Sequence, residues 1–303
     1  MKRVLSILFA VLLIAGPAQK ASAQYPFNDD LYFLKDYVYE VGASVGVMNC
    51  FTDLGGAKGY GNKFIKGYNF SNSQVAAGIH VSLLYRYMLG LRLEVTLGHV
   101  KADDKSLESV KQTTYGRYER NLSFKSKVNE VSLIAEFHPR YIKRFTDGNN
   151  LPRFSPYVLG GVGFFKFDPQ AKLNGEWVSL QPLSTEGQGF SEYPDRKPYK
   201  LTQLVIPVGI GVKYKVSPLI NVSMECVSRI LFTDYLDDVS TNYIDPSVYS
   251  NHFTGEQLNR ALLLNDRQKE LNPTHNSTIG WQRGNPSNND SYFTFSFKVA
   301  ALL

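Results

Sequence analysis

The chain has 303 residues, 43% of them hydrophobic and 20% charged, with a formal net charge of +6. That length suits one large domain or two small ones. The 2 cysteines are too few for a disulfide scaffold, and no basic run of the kind that binds nucleic acid occurs, so no nucleic-acid partner is expected.

Met1–Ala23 (MKRVLSILFAVLLIAGPAQKASA) opens on Lys2 and Arg3. It continues through an apolar run from Val4 to Ala15 and ends on Ala21, Ser22 and Ala23. This is the layout of a secretory signal peptide cut before Gln24. The run is shorter than the ~17–25 residues of a spanning helix. Residues 24–303 are then the mature domain. The leader carries Lys2, Arg3 and Lys20 and no acid, so the mature chain has 30 basic and 27 acidic residues.

The first predicted strand covers about Tyr37–Met48. Tyr37, Tyr39, Val41, Ala43, Val45 and Val47 form one face, and Glu40, Gly42, Ser44, Gly46 and Met48 form the other. A Gly-rich loop, 49–73, follows. The second strand, Gln74–Tyr87, sets Val75, Ile79, Val81, Leu83, Tyr85 and Tyr87 against His80, Ser82 and Arg86. A tight turn at Met88–Gly90 leads to Leu91–Gly98, where Leu91, Leu93, Val95 and Leu97 oppose Arg92, Glu94 and Thr96.

A polar loop, about His99–Ser123, precedes the fourth strand, Lys127–His138. There Val131, Leu133, Ala135 and Phe137 oppose Glu130, Ser132, Glu136 and His138. The fifth is Ser155–Phe167, whose glycines blur its phase. Asp168–Lys200 reads as a long loop. Leu201–Leu236 reads as one long hairpin turning at Ser217-Pro218. Leu204, Ile206, Val208, Ile210, Val212 and Tyr214 alternate with Gln203, Pro207, Gly209, Gly211 and Lys213, and the return limb opposes Cys226 to Glu225 and Arg229. After the longest connection, Thr233–Ser291, with a capping-box start at Thr254 and a short amphipathic helix to about Leu271, comes Tyr292–Ala300. Its Phe293, Phe295, Phe297 and Val299 oppose Ser296 and Lys298.

A period of two throughout means strands. The eight strands have connections that alternate long and short, with one of medium length. An even strand count with short turns at one end and long loops at the other is the pattern of an outer-membrane barrel. The apolar rows carry almost no charge, whereas the opposite rows carry both signs in near balance. An eight-stranded interior is just wide enough for side chains to fill it. The expected fold is therefore all-β: an eight-stranded antiparallel up-and-down transmembrane barrel, OmpA-like, with long extracellular loops. The cell outer membrane is its expected location. A soluble lipocalin-like barrel would need the reverse facing.

The expected lumen charge network is Glu40, Arg86, Arg92, Glu94, Glu136, Lys213, Glu225, Arg229 and Lys298. Tyr37, Tyr39, Tyr85, Tyr87 and Tyr214 fall where an aromatic girdle belongs. Cys50 and Cys226 lie in opposite phases of distant strands, so two free thiols are expected. Asp234, Asp237 and Asp238 form an acidic rim cluster. Such oxygen-rich groups can hold Ca²⁺, or they can cap backbone N–H groups or meet Arg side chains. Lys58, Lys63 and Lys66 alternate with Tyr60, Phe64, Tyr68 and Phe70, a pattern suited to lipopolysaccharide phosphates, a partner protein or a solvated rim. Arg140, Lys143, Arg144 and Arg153 make the medium-length turn basic, the best docking candidate at the short-turn end. His99, His252 and His275 sit in or near loops. No GxSxG, HExxH or P-loop spacing occurs, so no enzyme activity and no cofactor are expected. An outer-membrane lipid-modifying enzyme and a small porin are the rival readings.

Particular segments add a resemblance. VGASVGVMNCFTDLGG from Val41, SPYVLGGVGFFKFDPQA from Ser155, LQPLSTEGQG from Leu180, IPVGIGVKYKV from Ile206 and FTDYLDDVSTNYID from Phe232 resemble a family of Bacteroidota outer-membrane β-barrels. That family includes the type IX secretion component PorG. The resemblance covers most of the mature chain and implies an eight-stranded barrel that docks to periplasmic secretion-ring proteins. It supplies no catalytic motif.

Overall fold

The computed structural model describes residues 36–56, 70–114, 116–142, 152–274 and 278–303. The expected signal peptide (Met1–Ala23), residues 24–35, the lysines 58, 63 and 66 with their aromatic neighbours Tyr60, Phe64 and Tyr68, the turn residues Lys143 and Arg144, and His275 lie outside the described residues.

Nine strands are present among the described residues: β1 Tyr37–Phe51, β2 Gln74–Tyr85, β3 Leu89–Asp103, β4 Ser123–Phe137, β5 Phe154–Leu173, β6 Glu176–Ser179, β7 Thr202–Ser217, β8 Ile220–Leu231 and β9 Ser291–Leu302. Every pairing is antiparallel, and β9 pairs with both β8 and β1, closing eight of the strands into a barrel. Closure leaves none of these eight strands at an open edge of the sheet. The ninth strand, β6, pairs only with the far end of β5, from Gln170↔Ser179 to Leu173↔Glu176. The span 168–200 is thus partly a hairpin that extends the wall outward, not a loop throughout. β3 and β4 likewise run past their expected ends, pairing out to Asp103↔Ser123.

The period-two rows settle which face is which. Val75, Ile79, Phe164 and Ile210 are each more than 60% exposed, and comparable residues ring the outside on every barrel strand. The opposite rows are buried. A belt of exposed aliphatic and aromatic side chains around a closed barrel is a lipid-facing surface. Tyr37, Tyr39 and Tyr214 edge this belt at the short-turn end and are exposed.

Two expected wall residues fall elsewhere. Arg86 and Tyr87 are the central residues of the β2–β3 turn, both in the left-handed region (φ 52° and 56°). Met88 N–H donates to Tyr85 O across it (3.1 Å). Such a turn matches strand twist but costs strain in non-Gly residues. The surroundings hold it: Arg86 donates from its backbone N–H to Asp36 O (2.7 Å) and from Nε to Asp36 Oδ1 (2.8 Å). Arg86 is therefore not a lumen charge; it lies in the exposed turn. Tyr87 is buried against Tyr141, ring centroids 5.8 Å apart, and is not a girdle residue.

The barrel is filled in two layers. Nearer the short turns lies a polar layer. Above it lies an apolar layer that includes Met48, Val100, Phe124, Val128, Phe165, Phe167, Val205, Leu231 and Tyr292. The long connections then pack on each other with a core of their own, in which Val178, Leu180, Leu183 and Phe190 meet Ile244, Tyr249, Ala261 and Leu264. The helix in the last connection spans Gly255–Asn265, shorter than expected, and Thr254 occupies the N-cap without a side-chain cap bond.

Candidate functional site

The polar layer is built from inward residues of seven strands. Arg92 on β3 is its hub. Its Nη1 donates to Glu136 Oε1 at 2.5 Å and to Glu225 Oε1 at 2.6 Å, and its Nη2 donates to Glu225 Oε2 at 3.1 Å. Glu94 Oε2 lies 2.9 Å from Arg92 Nε. Lys298 Nζ donates to both Glu94 oxygens (2.8 and 2.7 Å) and lies 2.9 Å from Glu225 Oε2. Lys213 Nζ donates to Glu40 Oε2 (2.9 Å), and Asn221 Nδ2 donates to Glu40 Oε1 (2.6 Å). Tyr157 donates its hydroxyl to Glu225 Oε1 (2.5 Å).

One step outward, Arg229 Nε donates to Glu130 Oε2 (3.1 Å), which also accepts from the Tyr292 hydroxyl (2.8 Å). Glu40, Glu94, Glu130, Glu136 and Glu225 thus meet Arg92, Lys213, Arg229 and Lys298, all buried. Buried charge is tolerable only when paired and hydrogen-bonded. Of the nine expected lumen residues, all but Arg86 join this layer. Glu130 belongs to it as well, and so do Tyr157 and Asn221, whose uncharged side chains do not stand out in the sequence.

The acidic rim cluster does not act as one group. Asp238 accepts from Thr185 Oγ1 (2.5 Å) and from the Tyr199 hydroxyl (2.6 Å). Burial pushes its carboxyl up to about 6, with Arg283 pulling the other way. Asp237 accepts the backbone N–H groups of Leu54 (3.2 Å) and Val239 (3.0 Å). Burial, reinforced by Asp53, holds it well above the usual carboxylate range. Burial and then Asp53 push Asp234 up to about 9. Asp290 accepts from Leu236 N–H (2.8 Å) and is raised by burial and by Asp237. Among the described residues no group of three or more His, Cys, Asp or Glu side chains is arranged to hold a metal ion.

Two arginines tie the cap together. Arg283 Nη1 donates to Glu186 Oε1 (2.9 Å) and to Asp238 O (2.7 Å). Arg120 donates to Asp104 from Nε (2.8 Å) and Nη2 (3.0 Å), and to the carbonyls of Arg283 (2.5 Å) and Asp53 (2.7 Å). At the opposite end, Arg140 and Arg153 are exposed, with the Arg140 guanidinium 6.0 Å from the Phe154 ring centroid. Cys50 and Cys226 are both free thiols.

A family model described as a domain of unknown function, DUF6089, matches residues 30–248. The chain belongs to this family. No curated protein matches it. Among solved structures it is similar to a major outer membrane protein from Thermus thermophilus (14% identity, 89% of this chain and 100% of that one, TM-score 0.39). It is also similar to Neisserial surface protein A (10%, 88% and 97%, 0.35) and to OprG, an outer membrane protein from Pseudomonas aeruginosa (11%, 88% and 93%, 0.32).

Proposed function

We propose that this DUF6089 protein is a non-enzymatic outer-membrane barrel whose periplasmic turns anchor or position a type IX protein secretion machine, as the resemblance to the PorG-containing family implies. The observation that carries this reading is the filled lumen. Arg92, Glu136, Glu225 and Lys298 have side chains no more than 3% exposed, and their charges are spent on each other. A charge fixed by several partners is poorly placed to move protons or polarise a substrate, and a filled interior offers no conduit. What remains for function is the outer surface of the barrel and its two ends.

At the periplasmic end the exposed Arg140 and Arg153 flank a turn that also contains Lys143 and Arg144. This basic edge suits an acidic periplasmic partner. Deleting the gene is expected to block export of proteins that bear the type IX C-terminal signal; unchanged export would sink the secretion role. Reversing Arg140, Lys143, Arg144 and Arg153 to Glu is expected to leave the barrel assembled and to abolish co-purification of secretion-ring proteins.

A further inference from the structure

The outward rows of β3, β4 and β5 are apolar up to Leu97, Val131 and Phe164, which are 50%, 50% and 63% exposed. One residue pair further out, the chemistry changes abruptly. Asn129 is paired with Lys166, His99 with Lys127, and Lys101 with Lys125. Four lysines thus share one small patch of the outer wall. Lys101 and Lys125 stand directly opposite each other, an arrangement that destabilises a sheet unless something offsets the repulsion.

No carboxylate among the described residues does so. None of the four ammonium groups has a carboxylate within salt-bridge distance in the described structure. The acids on the same outward face are engaged elsewhere: Asp168 accepts from Gln170 Nε2 (2.7 Å) and Ser179 Oγ (3.2 Å), and Asp103 Oδ1 accepts from the Lys105 N–H (2.9 Å). Three of the four, Lys125, Lys127 and Lys166, line a hollow of about 380 Å³ walled on its outer side by Trp177 of β6. Lys125 Nζ lies 5.6 Å from that ring's centroid. Asn129 Oδ1 is buried in the same hollow with no hydrogen-bond partner among the described residues.

We propose that this patch binds the phosphorylated sugar headgroup of an outer-leaflet glycolipid. Height on the wall decides the ligand. The lysines sit at the upper border of the lipid-facing belt, the level of headgroup phosphates, and Trp177 is at the depth where interfacial tryptophans sit. Phosphate oxygens neutralise the lysines. A sugar hydroxyl or amide donates to Asn129 Oδ1, which a bare phosphate dianion does not do. The acyl chains then lie along Leu97, Val131 and Phe164. The proposal rests on the outer-membrane reading and deepens it.

The test uses the mature chain refolded in detergent, with bisphosphorylated lipid A as the probe and the heat-unfolding midpoint as the readout. A ligand that binds only the folded state raises that midpoint. The wild type is expected to respond to lipid A but not to the same lipid stripped of its phosphates, nor to inorganic phosphate at equal concentration. Each lysine near an anionic surface is worth roughly fivefold in binding. The variant with Gln at positions 101, 125, 127 and 166 is therefore expected to need more than about a hundredfold more lipid A for the same rise. The variant with Arg at those positions is expected to keep the response. Equal responses of the Gln variant and the wild type, or of the wild type to phosphorylated and dephosphorylated lipid, would overturn the proposal. So would a full response to inorganic phosphate alone, which would mark a free-anion site. If the Gln variant fails to fold, the two lipids on the wild type still decide. Insertion into phosphatidylcholine vesicles separates the two readings. Failure to insert removes the membrane reading, and insertion without a lipid A response removes only this one.

Discussion

Arg92 pairs with three carboxylates that would otherwise face one another inside a low-dielectric barrel, and Lys213 and Lys298 supply the rest of the counter-charge. Removing one partner of a buried ion pair typically costs about 3–5 kcal/mol, because the other charge stays buried and unpaired. Arg92→Met is therefore expected to destabilise the barrel by at least that much, read as a lower urea midpoint of the refolded protein. Adding Glu225→Gln to Arg92→Met is expected to recover part of the loss; a double variant no more stable than the single would mean that charge pairing does not govern this layer. In the cap, Asp234 gives the opposite kind of signal. Its carboxyl is raised to about 9 by burial and by Asp53, against about 3.9 unfolded. Between those limits the folded state holds a proton that the unfolded state has released, so its stabilising contribution is complete below about pH 4 and is lost as pH rises toward 9. Protease cleavage within 233–290 is expected to be faster at pH 9 than at pH 6, and Asp234→Asn is expected to flatten that dependence. The alternation of the chain places eight of the nine expected lumen charges in the inward rows, with Arg86 falling instead in the β2–β3 turn. It did not show that Arg92 meets Glu225, since that contact spans 133 residues and depends on the register of closure.

Strand ends were the least legible elements, and the reason is physical. β3 and β4 carry Lys101, Lys125 and Lys127 outward where the wall leaves the lipid belt, so the apolar row stops although the strand continues. A strand that has risen into the headgroup region looks like a loop when apolar alternation is the only guide. The β2–β3 turn was hidden for a different reason. Its left-handed pair, Arg86 and Tyr87, contains neither Gly nor Asn, and contacts to Asp36 and Tyr141 hold it. Strand glycines, by contrast, carry readable meaning once the register is known. A Cβ on Gly211 would lie 2.4 Å from Tyr157 Cζ and 2.7 Å from its hydroxyl. Gly211 therefore makes the room in which Tyr157 reaches Glu225. Gly211→Val is expected to displace that ring, break the hydroxyl bond and cost about 1–3 kcal/mol through overpacking. Gly160, where a Cβ meets nothing within 4 Å, is the matched control and is expected to tolerate Ala. Equal losses at the two positions in an unfolding titration would count against this account.

At the scale of the whole molecule, the interior is closed twice in series. The ion-paired layer around Arg92 fills the lumen toward the short turns, and the apolar layer of Met48, Phe165, Phe167 and Tyr292 fills it above. Arg229, Tyr292 and Glu130 join the two, since the Tyr292 ring packs in the upper layer while its hydroxyl serves the lower. A water-filled path needs a gap through both. The protein inserted in a planar bilayer is thus expected to pass no steady current, and an ohmic step in the wild type would contradict the filled lumen that supports the proposed anchoring role. The two-layer arrangement also orders the variants. Arg92→Ala with Lys298→Ala opens space only in the polar layer and is expected to stay silent, because the aromatic layer still closes the barrel. Phe165→Ala with Phe167→Ala is expected to stay silent for the converse reason. Only the four changes together remove both closures, and current that appears in the fourfold variant but in neither pair is the result expected of two seals in series.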